Sequence, residues 1–287
     1  MNILILGSNS FVGKKIYEKF QIKKNLKVFT IKERFNENDI DNLSNIDFYK
    51  KYFVNFKVKF DCIINLIHIY KKIFDEEVYA NINLAEKIIY FQNINKSKII
   101  YLSSVNCSKS GDNKYSYSKY MVEKKFIKTN NYQIIRPSTV ILEDEGQYIG
   151  GRNGSSLKII NFFIKYFFFF PIINNGKFLH SICFLEDLQK FIYISITLNL
   201  FKNQTINFFS GEYLNYKKFI LFLANKQKKK VNFVNVPFSL LIFFIKILTF
   251  VPIFKINVQM FENLISQRIE FDLTLKISKY LNLKKAE

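Results

Sequence analysis

The sequence predicts an α/β fold built on a parallel sheet, and three observations predict it. Strand-like apolar runs near 2–6, 27–31, 61–66, 98–102 and 132–136 alternate with helical patterns, the signature of right-handed crossovers between parallel strands. The first run passes through a glycine-bearing turn straight into a helical pattern that reaches Phe20. Further on, a Ser103-Ser104 pair ends the fourth run at the sheet edge where open α/β folds place ligands, just ahead of Tyr115-Ser116-Tyr117-Ser118-Lys119.

At the N-terminus, Asn2 to Leu6 end in Gly7-Ser8-Asn9-Ser10-Phe11-Val12-Gly13. Gly7 permits a tight turn and Gly13 lets helix and strand pack closely. The free amides at the helix start, around Ser10, Phe11 and Val12, favour a pyrophosphate. Ser10 stands where a full glycine triplet has its middle glycine, and is small enough for close approach. An ordinary strand-to-helix turn can carry the same letters, but the position at the first crossover argues for a dinucleotide.

The second strand, Lys27 to Ile31, ends in Lys32-Glu33-Arg34. Lys32 and Arg34 suit a ribose 2′-phosphate, which favours NADP(H). A strand one residue longer would put Glu33 on the 2′-hydroxyl instead, so NAD(H) stays the alternative.

The Tyr115 and Lys119 pair sits four residues apart, which on a helix beginning near 114 puts both on one face and turns Tyr117 elsewhere. A phenol titrates near pH ~10, too high for neutral acid/base work, and an adjacent cation favours the phenolate. Ser104 can donate to a substrate oxygen beside them. Tyr-x-x-x-Lys alone is a frequent accident on helices; the order of the surrounding motifs is what raises it.

That order resembles the extended short-chain dehydrogenase/reductase family, its NAD-dependent epimerase/dehydratase branch, over nearly the whole chain. The resemblance rests on Gly7 to Gly13, Asp61-Cys62-Ile63-Ile64-Asn65-Leu66, Asn81-Ile82-Asn83, Ser104 with Tyr115 and Lys119, and Arg136-Pro137-Ser138-Thr139. It implies a Rossmann-type, doubly wound parallel sheet with a smaller C-terminal substrate-binding lobe. The division expected is about 1–150 for the dinucleotide and 151–287 for the substrate, with about 180–210 returning to the first part. It implies catalysis by Ser104, Tyr115 and Lys119, and cofactor contacts from Leu66, Asn81, Lys119 and Pro137. The segment His180-Ser181-Ile182-Cys183-Phe184-Leu185-Glu186-Asp187-Leu188 is similar to the entry to the substrate lobe, with His180 where many relatives have an arginine on the sugar-nucleotide diphosphate. Lys177 or Arg152 would then share that contact, and Asn106 would line the sugar beside Ser104. Val105-Asn106 after Ser104 lack the acidic residue of the 4,6-dehydratases, and the C-terminal stretches Val234 to Pro237 and Phe271 to Lys276 resemble bacterial nucleotide-sugar 4-epimerases and 4-keto reductases of surface-polysaccharide synthesis. A 4-keto reductase is the first expectation, a 4-epimerase with tightly held NAD the alternative, and a non-catalytic dinucleotide-binding or membrane-associated scaffold the third.

Composition sets outer bounds. Apolar residues make up 49% of the 287, with 33 Phe and no Trp, enough to build a large core. Lys+Arg 43 against Asp+Glu 23 leaves +20, a field that would draw polyanions. The charge is spread along the chain, with one dense run at Lys226-Gln227-Lys228-Lys229-Lys230, which matches an A+T-rich coding sequence better than a nucleic-acid reader. No nucleic-acid partner is expected. Cys62, Cys107 and Cys183 lie in or beside apolar runs and the chain opens directly on a strand, which points to the cytoplasm. His68 and His180 are too isolated for a metal site, and none is expected.

After Gly150 the alternation gives way to Gly150-Gly151-Arg152-Asn153-Gly154-Ser155-Ser156, a segment suited to closing over substrate. Two apolar stretches follow, Ile159 to Ile173 and Val236 to Phe254. Lys165 and Pro171 interrupt the first, and Pro237, Lys246 and Pro252 interrupt the second, so neither supplies the ~20 apolar residues of a spanning helix. Helices packed in the substrate lobe are expected from both, with peripheral contact at the inner membrane face as a further expectation, alongside homodimerisation.

Overall fold

The computed structural model describes residues 1–30, 58–111, 113–144, 147–150, 156–177, 179–210, 214–237, 239–240 and 243. Lys32, Glu33, Arg34 and Arg152 lie outside the described residues, as do most of the stretch from Val236 to Phe254 and all of Phe271 to Lys276. In chain order the elements are β1 (Asn2–Leu6), α1 (Phe11–Gln21), β2 (Lys27–Thr30), β3 (Cys62–Asn65), α2 (Phe74–Asn95), β4 (Lys98–Leu102), α3 (Lys114–Ile127) and β5 (Tyr132–Pro137). Then come β6 (Thr139–Asp144), β7 (Gln147–Gly150), α4 (Ser156–Tyr166), β8 (Phe169–Ile172), β9 (Leu179–His180), β10 (Ile182–Phe184) and α5 (Leu185–Thr197). The last described are β11 (Gln204–Phe208), β12 (Leu214–Asn215), α6 (Tyr216–Lys226) and β13 (Asn232–Asn235).

Two compact units result: Met1–Pro137 with Gln189–Asn207, and Ser138–Leu188 with the chain from Phe208 onward. The first unit closes at Pro137, ahead of the expected division near 150, and residues 189–207 belong to it.

The first unit is a six-stranded sheet in the order β11-β5-β4-β3-β1-β2. β1 pairs in parallel with β2 on one side and β3 on the other, and β3, β4 and β5 continue in parallel. The chain therefore leaves β1 outward, then returns to its other edge, so the strand order switches between β1 and β3. A crevice opens at the carboxyl ends of strands at such a point. The strands read as unbroken apolar runs because both faces are covered: Ile3, Ile5, Ile63, Ile64, Ile99 and Ile100 are fully buried. Leu84, Ile88 and Phe91 of α2, with Val122 and Phe126 of α3, pack one face.

Lys98, at the start of β4, is a buried cation inside this apolar unit. Its ammonium donates to Ser195 O at 3.0 Å and Leu200 O at 2.7 Å, which ties the returning segment to the sheet. Burial pulls its pKa down from the usual lysine value.

Among the described residues the second unit holds three small sheets, β10-β6-β7, β12-β9 and β13-β8, on helices α4 and α6. The stretch Ile159 to Ile173 is not helical throughout: α4 ends at Tyr166 and Phe169–Ile172 form β8, paired in parallel with β13. Pro171 cannot donate to a helix turn, yet it fits a strand whose sheet has two members among the described residues.

Candidate active site

At the N-terminus of α1, Ser10 adopts an extended backbone and caps the helix. Its Oγ accepts from Gly13 N–H at 3.0 Å and donates to Gly7 O at 2.8 Å, closing the turn on itself. Gly7 has φ +86°, and a Cβ there would stand 3.1 Å from the Leu66 carbonyl carbon. A Cβ on Gly13 would overlap the Gly7 carbonyl and lie 2.8 Å from Ser10 Oγ. Gly7 is thus required by its left-handed backbone and Gly13 by space, and the turn presents the first amides of α1, around Phe11 and Val12, at the switch point. That cradle fits a dinucleotide pyrophosphate. Leu66 leaves β3 against it, its N–H held by Leu6 O at 3.0 Å.

Ser104 follows β4 by two residues and is half-buried. Its Oγ accepts from Asn106 N–H at 3.2 Å, which leaves the hydroxyl proton available to donate. Asn106 Oδ1 is buried with no hydrogen-bond partner among the described residues. On α3, Asn113 caps the first turn by accepting from Ser116 N–H at 3.1 Å. This starts the helix where Tyr115 and Lys119 fall one above the other. Lys119 is 3% exposed; its Nζ donates to Leu102 O at 2.9 Å and lies 5.8 Å from the Tyr115 ring centroid. The same ammonium sits 4.7 Å over Tyr101, whose phenol is pushed well up by burial and is no rival proton donor. Tyr117 turns away, packed on Phe74 and Tyr120.

Two networks hold α3 that sequence reading did not assemble. The first is His68, Glu77 and Lys114. His68 stands edge-on to Tyr115 at 4.7 Å, and Tyr70 stacks on Tyr115 at 6.0 Å. His68 Nε2 donates to Glu77 Oε1 at 3.1 Å, while Glu77 Oε2 accepts from Lys71 N–H at 3.0 Å and faces Lys114 Nζ at 3.4 Å. Burial alone would push the Glu77 carboxyl up, but the His68 and Lys71 hydrogen bonds, with the nearby cations, hold it below its ordinary value. The second is Glu123, one turn past Lys119, which takes Arg136 through both oxygens, Nε at 2.9 Å and Nη2 at 2.6 Å. That fork pins the end of β5, and so Pro137, to α3; Pro137 O in turn accepts from Val105 N–H. The Cys107 thiol, pushed up to about 12 by burial and then by Glu123, stays protonated there.

Other expected positions behave differently. Asn81 is buried, its amide spent on the main chain: it donates to Ile69 O and Glu77 O, both at 2.7 Å, and accepts from Ile69 N–H at 3.0 Å. It clamps the loop that carries His68. His180 is a correction. It is fully buried, with its ring 4.1 Å from that of Phe219, because β9 pairs with β12 and α6 covers it, so it offers no surface to a diphosphate. Lys177, by contrast, is exposed after a short 3-10 turn at Asn174–Gly176. Among the described residues no group of three or more His, Cys, Asp or Glu is placed to hold a metal. No helix among them is long and apolar enough to cross a membrane.

No protein-family model matches the sequence, and no curated protein does. Solved structures do. A dTDP-4-dehydrorhamnose reductase from Bacillus anthracis, in complex with NADP, is 17% identical with a TM-score of 0.63, over 84% of this chain and 85% of that one. The dTDP-4-dehydrorhamnose reductase of Yersinia enterocolitica is 20% identical with a TM-score of 0.61, over 83% and 85%. The UDP-glucose 4-epimerase of Thermotoga maritima, with UDP-glucose, is 12% identical with a TM-score of 0.58, over 83% and 87%. The chain has the fold of these reductases and epimerases.

Proposed function

We propose that the protein is a nicotinamide-dependent reductase that converts the 4-keto group of a nucleotide-activated sugar to an alcohol, in the assembly of surface-polysaccharide precursors. The observation that carries this reading is the Tyr115 and Lys119 pair on α3, with Lys119 bonded to Leu102 O at the end of β4, two residues before Ser104. With its pyrophosphate held in the Gly7 to Gly13 cradle, a reduced nicotinamide dinucleotide would supply the hydride. Tyr115 hands its hydroxyl proton to the carbonyl oxygen as that oxygen gains charge, and Ser104 donates to the same atom. Lys119, held by Leu102 O, favours the phenolate that remains and reaches the cofactor ribose. Asn106 Oδ1, a buried acceptor, takes a sugar hydroxyl, and Lys177 with Arg152 meets the diphosphate.

NADP(H) is the favoured cofactor because Lys32 and Arg34 end the second strand run, and the Bacillus anthracis reductase was solved with NADP. Three free cysteines suit a reducing cytoplasm. The test is incubation with a dTDP- or UDP-linked 4-keto-6-deoxyhexose and NADPH. Stoichiometric loss of absorbance at the nicotinamide band supports reduction. The likeness to the UDP-glucose 4-epimerase keeps a second reading: interconversion of UDP-hexoses with no added cofactor would favour it and sink the first. Failure of both reactions, with nucleotide binding retained, would leave only the scaffold.

A further inference from the structure

We infer that one edge of the second unit is a docking surface for an anionic lipid bilayer. Tyr166, Phe167, Phe168 and Phe169 form an unbroken exposed aromatic run, Phe168 being 86% exposed and Tyr166 61%. Aromatic contacts hold it in shape: Phe163 stacks on Phe167 at 5.1 Å, and Phe167 meets Phe169 edge-on at 6.1 Å. A contiguous exposed apolar patch of this kind marks an interaction site.

What it fits is set by what lies beside it. β8 and β13 run parallel, with Asn232 opposite Phe169 and Asn232 N–H donating to Phe168 O at 3.0 Å. Parallel neighbours enter their sheet from the same edge, so the turn from α4 into β8 and the turn from α6 into β13 lie together. The end of α4, the turn after it and the start of β8 carry Lys165 and the aromatics; the second turn carries Lys228, Lys229 and Lys230, all exposed. Lys230 precedes Asn232 by two residues, at most ~7 Å of chain. Between Ser156 and Lys177, and between Leu214 and Pro237, the sequence has nine lysines and no Asp or Glu. Of these, Lys226 is taken by Glu143 of β6. An aromatic tip beside the exposed Lys165, Lys228, Lys229 and Lys230 matches the boundary of a membrane, where aromatic rings settle at headgroup depth and lysines meet anionic lipid. The surface involves none of Ser104, Tyr115 and Lys119, and its test needs no substrate.

The chain has no Trp, so Phe168→Trp supplies a single reporter. With vesicles of equal phosphatidylglycerol and phosphatidylcholine, its emission should shift to the blue and be quenched by brominated acyl chains, whereas Tyr79→Trp on α2 should not respond. Co-sedimentation of the full chain should weaken by ~100-fold in a Lys228, Lys229 and Lys230→Gln variant, at ~5-fold per lysine, and fall steeply with salt. A Phe168→Ser and Phe169→Ser variant should lose binding while keeping its circular dichroism and melting temperature. The proposal is overturned if neither variant changes partitioning, or if phosphatidylcholine alone binds as well. It is equally overturned if the serine variant converts a dimer to monomer with no vesicle binding in either, or if the protein retains a single-stranded oligonucleotide and no vesicles.

Discussion

Tyr115 does its proposed work inside a frame of three neighbours: Lys119 along its own helix, and His68 and Tyr70 across the loop after β3. Removing only its oxygen tests that role cleanly. Tyr115→Phe should cut turnover of a 4-keto sugar nucleotide by ~10²–10⁴-fold, while fluorescence titration with NADPH gives an unchanged affinity. The thiols give a second residue-level expectation. Cys62 and Cys183 are buried, burial pushes Cys62 up to about 12, and Cys107 stands near the same value. At pH 8 the thiolate is negligible at each, so a thiol reagent should label none of them in the native protein and all three in denaturant. The i, i+4 spacing of Tyr115 and Lys119 was legible in the sequence because both lie on one helix. His68 with Glu77 was not, because their meeting depends on a loop folding back on α2, and nothing local sets Glu77 apart from Asp75 and Glu76 beside it.

At the scale of elements, the loop from His68 to Lys71 is fastened to α2 by Glu77 and Asn81. Glu77 has its folded pKa held below its ordinary value, so its contribution to stability is full above that ordinary value and is lost as pH falls through the folded one. A melting-temperature series from pH 7 down to pH 3 should therefore show an acid limb that flattens in Glu77→Gln, with a lower plateau at neutral pH. The strand runs were readable since strands buried on both faces leave continuous apolar letters. The break of Ile159 to Ile173 into α4 and β8 was less so: phenylalanine serves either state, and the pairing with β13 that decides it comes from sixty residues on. His180 misled for the same reason, since a two-residue strand and a covering helix are invisible to local pattern.

At the scale of the molecule, the first unit is assembled from two separate lengths of chain, and Lys98 fastens the second to the first. Lys98→Met keeps the stem but leaves the Ser195 and Leu200 carbonyls without that donor, and should lower stability by ~1–3 kcal/mol in urea melts. Ligand linkage acts on the whole: NADPH at a hundred times its dissociation constant should add ~2.7 kcal/mol, and NADH at the same concentration less, read as two unequal shifts in melting temperature. Equal shifts would count against the role given to Lys32 and Arg34. The grouping of residues 189–207 with Met1–Pro137 is not legible locally, since nothing in that segment says which sheet it will join.

The serine at position 10 has a consequence for the thermodynamics of cofactor capture. A glycine there would be sterically freer, but the turn would wander in the empty protein and have to be ordered at every encounter. With Ser10 Oγ bonded to both Gly7 and Gly13, that ordering is complete before any nucleotide arrives. Ser10→Gly should accordingly weaken nucleotide binding through a more unfavourable entropy at little change in enthalpy, a split that calorimetry reads directly.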